Sequence, residues 1–147
     1  MSLENLLRIG QLEEHETDTN QVRKMLDSCS RCIADAREEA ISPESRLDIA
    51  YRAIMQLAMV ALWANGFRPS KSKPGHHQTM IQSLVHSVGL SNDQMLLLNS
   101  FRSRRNAIDY TGEDVDEGSV ETCIDASEQL MKHVCDWLVK NRPDLIS

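Results

Sequence analysis

The stretch from Ser42 to Gly66 constrains this chain more than any other. Ser42 offers a capping side chain, Pro43 suits the first helical position, and Glu44 sits in the first turn, where the helix dipole favours an acid. Leu47, Ala50, Ile54, Leu57, Ala58 and Ala61 follow at helical spacing, and Gly66 is placed to supply a left-handed stop. From Leu57 to Ala64 the residues are apolar nearly all round, which marks a helix buried on several sides. That run is far shorter than the roughly 20 residues of a bilayer crossing. The segment therefore reads as the central helix of a bundle.

Five further helical stretches can surround it. A short amphipathic opener runs from about Leu3 to Ile9, and a longer helix from about Asn20 to Glu39 carries Val22, Met25, Leu26, Cys29, Ile33 and Ala36 as its stripe. A fourth helix spans His76 to Val88. The fifth opens on the capping box Ser91-Asn92-Asp93-Gln94 and stops at Gly112. The last carries Cys123, Ile124, Ser127, Leu130, Met131, Val134, Trp137 and Leu138 and is closed by Pro143. Phe67 to Gly75, with two prolines, is the one long loop, and nothing reads as a strand or a repeat. The content of aromatic residues is 4%, against 41% hydrophobic and 26% charged, which excludes disorder and favours helix-on-helix packing. The expectation is one all-α domain over residues 1–147, an up-and-down bundle of four to five main helices.

The net charge of −6 is unevenly placed. Between Arg68 and Arg105 six basic residues (Arg68, Lys71, Lys73, Arg102, Arg104, Arg105) face one acid, Asp93, so that segment is +5 and the remainder is −11. A local positive surface on an acidic body is a candidate anion site, and a solvated basic face is the bland alternative. The opening Met1-Ser2-Leu3-Glu4 lacks the features of a secretory signal. A cytoplasmic location away from membranes is expected, with Cys29, Cys32, Cys123 and Cys135 as reduced core thiols.

The fifth helix carries the strongest chemical signal. Leu97, Leu98, Phe101 and Ile108 share one face, and Arg105 falls near its centre, where a leucine would be expected. A guanidinium inside a packing stripe costs desolvation unless it is paired or opens onto a wet cleft. Asp109, four residues on, is the local partner, and Arg102 and Asn106 flank the position. Two readings follow: an anchoring Arg105–Asp109 ion pair with no further role, or a polar end of the stripe at a cleft, interface or ligand site. His76 and His77 can supply a titrating group if their helix lies beside the fifth; otherwise they are ordinary capping and surface residues. Adjacent histidines point apart on a helix and no carboxylate stands at i+4, so neither a metal nor any other cofactor is expected.

Arg105-Asn106-Ala107-Ile108-Asp109-Tyr110 resembles the R-N-x-x-x-H signature of the HEPN superfamily (higher eukaryotes and prokaryotes nucleotide-binding domains). Ser45-Arg46-Leu47-Asp48-Ile49-Ala50-Tyr51 through Ala64-Asn65-Gly66-Phe67-Arg68-Pro69 resembles that family's central helix and its exit, and Gly75-His76-His77 the start of its next helix in one bacterial branch. The resemblance implies a helical bundle that often forms a homodimer with the arginine motifs in a shared cleft. Many members are metal-independent ribonucleases of toxin–antitoxin or defence systems, partnered by an antitoxin or a nucleotidyltransferase; others bind RNA or proteins without catalysis. Carried onto this chain, Arg105 would hold the scissile phosphate and Asn106 would orient the motif. Tyr110 stands where histidine is expected. A phenol near pKa 10 is a poor general base at neutral pH, though it can donate a hydrogen bond to phosphate. The tyrosine that some members carry two residues further on is Gly112 here. The expected function is binding of RNA or a nucleotide at a dimer cleft lined by Arg102, Arg105, Asn106, Asp109 and Tyr110, in an active or degenerate ribonuclease. The alternative is a non-catalytic structural or protein-interaction dimer.

Overall fold

The computed structural model describes residues 2–71 and 75–146. It is an all-α bundle: α1 (Leu3–Arg8), α2 (Thr19–Ala36), α3 (Pro43–Ala64), α4 (His76–Ser87), α5 (Asn92–Thr111) and α6 (Glu117–Asn141), closed by a short 3-10 turn at Pro143–Leu145. The helix starts are set by local chemistry. The side chains of Asp18, Ser42, Ser91 and Asp116 each accept a backbone N–H from the first turn of the helix that follows. α5 ends where Gly112 takes φ 67°, a left-handed conformation that costs glycine little. α2 stops at Ala36, three residues before the sequence expectation, because Arg37 and Glu38 turn back onto the carbonyls of Ala34 and Asp35.

α3 occupies the centre, packed against α2, α4, α5 and α6, with 14 of its 22 residues buried. Ala50, Ala53, Ala58 and Ala61 are fully buried on it, and such small side chains let neighbouring helices approach closely. By length and composition α3 is apolar enough to cross a membrane, but 72% of that window is buried inside the bundle. Most of its apolar surface is covered by the other helices.

One finding corrects the sequence reading and a second adds to it. First, the chain contains a small antiparallel pair, β1 (Leu12–Glu14) with β2 (Phe67–Pro69), in the register Leu12↔Pro69, Glu13↔Arg68 and Glu14↔Phe67. Three residues are too few to display the period-two alternation of a strand, and the ladder is held by tertiary context, with Leu12 buried and Pro69 in a position an edge strand tolerates. Part of the expected loop is therefore ordered sheet, and Lys73 of that loop lies outside the described residues.

Second, Arg46 is buried at 2% exposure. Its Nε donates to the Ala36 carbonyl at 2.7 Å, and its two η nitrogens donate to Glu117 and Glu121 at 2.9 and 3.1 Å. One guanidinium thus joins the end of α2, the start of α3 and the start of α6. The cysteines are free; Cys29, Cys32 and Cys123 are buried, and burial pushes the Cys29 and Cys123 thiols up to about 12.

Candidate functional site

One face of α3 is not closed by its neighbours. Asp48, Tyr51, Arg52, Met55, Gln56 and Met59, at helical spacing, form the floor of a cavity of about 320 Å³. Met25 of α2, His76, His77 and Met80 of α4, and Arg105 of α5 complete its walls. Four of the chain's seven methionines line it, giving an adaptable apolar body between polar ends.

Arg105 is the cationic end. Its side chain is 31% exposed, and its Nε donates to Asp48 Oδ1 at 2.6 Å, while Asp109, the partner expected from i,i+4 spacing, lies 4.0 Å away. The principal partner is thus 57 residues distant in sequence, which local spacing cannot show. The guanidinium carbon also lies 5.2 Å from the centroid of the Tyr51 ring, a cation–π distance. The Asp48 hydrogen bond holds the Arg105 pKa above the usual guanidinium value.

α4 lies beside α5, so His77 does face Arg105. Its Nδ1 is 3.5 Å from the Tyr51 hydroxyl, and the His76 and His77 rings meet edge to face at 5.0 Å. Burial, then the charges of His76, Arg105 and Arg102, hold the His77 pKa below that of an ordinary imidazole. His77 is therefore neutral at pH 7 and available as a proton acceptor. Burial raises the Tyr51 pKa against the opposing pull of Arg105 and Arg102, so the phenol stays protonated and can donate. The residue that precedes α4 is Gly75, which has no side chain to cap the first turn. Apart from the histidines, the lining carries Asp48 against Arg52 and Arg105, a net charge of +1.

The structure brings Arg105, His76 and His77 to this cavity and leaves the remaining expected site residues outside its lining. Arg102 donates to Asn99 at 2.9 Å and acts on the cavity through its field. Asn106 is half-buried, Asp109 is exposed beside Arg105, and Tyr110 is 88% exposed. The basic segment is not one patch: Arg68 pairs with Glu13, and Arg104 turns to Ser119 and Asp116 on the α6 side. Asp48, Tyr51, Arg52 and Gln56 were not singled out from sequence. Their signal was the polar i, i+3, i+4, i+8 stripe on an otherwise apolar helix. Gln56 donates through Nε2 to Ser28 at 2.9 Å, while its Oε1 is buried without a partner. Among the described residues no three histidine, cysteine or acidic side chains are grouped to hold a metal ion.

No family model matches the sequence, and no curated protein matches it.

Proposed function

We propose that this chain is a HEPN-like domain that binds a nucleoside phosphate, free or within RNA, in the cavity between α3 and Arg105. The observation that carries the reading is the placement of Arg105 in the cavity wall beside neutral His77 and protonated Tyr51. The Asp48 hydrogen bond uses Nε, and the two η nitrogens form the fork that suits a phosphate. The methionine body offers a polarizable surface for a planar base. The volume of about 320 Å³ lies within the usual range of small-ligand sites, about 300–1,000 Å³.

A second reading, metal-independent RNA cleavage, is favoured by His77 in particular. A neutral imidazole can take the proton of a ribose 2′-hydroxyl as that oxygen attacks the adjacent phosphorus, while Arg105 stabilises the charge gathering on the phosphoryl oxygens. His77 would then fill the role that Tyr110 is ill suited to. Association of two copies along α5 belongs to the same proposal. That helix buries only Leu98 and Phe101 of its 20 residues and leaves Leu96, Leu97 and Tyr110 exposed.

The test is incubation of an RNA oligonucleotide with the protein in chelator, reading both binding and cleavage. Binding that falls steeply with salt and is lost in Arg105→Ala supports the nucleoside-phosphate site. Cleavage lost in His77→Gln with binding retained supports the ribonuclease. A wild-type protein that neither binds nor cleaves would point instead to a structural or protein-interaction dimer.

A further inference from the structure

A second hollow, of about 300 Å³, adjoins the first and shares Met59 and His76 with it. Its character repeats that of its neighbour: an aromatic wall, Trp63 with the His15 ring stacked at 5.7 Å and 24°, and two cations, Arg68 and Lys71. The small sheet is what builds it. β1 leads into His15, whose backbone N–H donates to the Gly66 carbonyl at 2.9 Å, and whose Nε2 lies 3.0 Å from Gln21 Oε1. β2 presents Arg68, which pairs with Glu13 across the ladder at 3.1 Å. Both members of that pair are more than 40% exposed, so the pairing is weak, and Lys71 adds a further positive charge at the rim.

The two hollows follow one face of α3 from Asp48 to Trp63. Fifteen residues at 1.5 Å make that path about 22 Å long. A single nucleoside phosphate at the Arg105 end would leave the second aromatic wall and its cations uncontacted. Resting on the reading of the first hollow given above, we propose that the groove takes a dinucleotide. One base lies among the methionines near Arg105, the other against His15 over Trp63, and the bridging phosphate passes His76 at the junction, within the field of Arg68 and Lys71. A free dinucleotide and two successive nucleotides of a single strand present this same chemistry.

Calorimetric titration with AMP, 5′-phosphorylated diadenylate and a four-nucleotide adenylate strand separates these cases, using the wild type, Arg105→Ala, Lys71→Glu and His15→Ala. The diadenylate should bind at least ten-fold more tightly than AMP. Lys71→Glu, an exposed change that leaves the core intact, and His15→Ala should each erase most of that gain and leave AMP affinity within two-fold, while Arg105→Ala weakens both ligands. A tetranucleotide that matches the diadenylate places the pair within a strand; one that binds worse assigns the groove to a free dinucleotide. Equal affinities for AMP and diadenylate, or a gain that survives both second-hollow variants, overturn the inference and leave the first site standing. If no ligand binds at all, the first site falls and the dinucleotide with it.

Discussion

Arg46→Ala should be far more damaging than Arg37→Ala, although each guanidinium meets acids of α6. Arg37 approaches Glu121, Asp125 and Glu128 at 3.6, 3.2 and 2.7 Å with 41% of its side chain exposed. Arg46 reaches Glu117, Glu121 and the Ala36 carbonyl with only 3% of its side chain exposed. Hydrogen bonds from a charged donor contribute about 1.5–3 kcal/mol each, and breaking a buried ion pair costs about 3–5 kcal/mol. The acids left behind by Arg46→Ala are 67% and 48% exposed and regain water, which places the loss at the lower end, about 3 kcal/mol. An exposed network such as that of Arg37 contributes less than about 1 kcal/mol. For a chain of this size the Arg46 variant should melt roughly 6–12 °C lower, at about 2–4 °C per kcal/mol. Urea unfolding followed by circular dichroism at 222 nm measures both losses. Equal destabilisation by the two variants, or a loss under 1 kcal/mol for Arg46→Ala, would refute the reasoning that burial decides what these ion pairs contribute.

Other outcomes follow from the cavity and the core. His77 has a lowered pKa in the fold, so the unfolded chain holds that proton more tightly. Stability from this group is present above about pH 6.5 and is lost as pH falls through the lower folded value. Stability curves between pH 7 and 5 should therefore fall less steeply in His77→Gln than in the wild type. Asp48→Asn removes the carboxylate that competes for Arg105, and AMP should bind it several-fold more tightly than the wild type in the same titration. Cys29 and Cys123, whose thiols burial pushes up to about 12, should resist alkylation at pH 8 in the folded protein and react fully in urea, as read by mass spectrometry.

What the sequence made legible was what local chemistry decides. Ser42-Pro43, Ser91 and Gly112 fix helix ends by satisfying backbone groups within a turn, and all three act so in the fold. The all-round apolar end of α3 identified the central helix, since only a surrounded helix can bury every face. Arg105 announced itself as a charge inside an apolar stripe. Its partner did not, because Asp48 and Tyr51 meet it across the bundle while i,i+4 spacing pointed to Asp109. The β1–β2 pair joins segments more than 50 residues apart through three residues each, and no periodicity signals so short a ladder. Met55 and Met59 carry no signal of their own, because the gap above them is left by the way α2 and α4 pack on α3.

The central claim is that Arg105 and His77 face a ligand together, and side-chain nuclear magnetic resonance tests it directly. With ¹⁵N-labelled protein, adding AMP should shift the Arg105 Nε–H signal and the His77 imidazole signals in one saturable step, with no comparable change in the Nε–H signal of Arg37, which lies outside the cavity lining and pairs with α6. Arg105 and His77 signals that stay fixed while AMP binds elsewhere, or that stay fixed at every AMP concentration, would contradict the account.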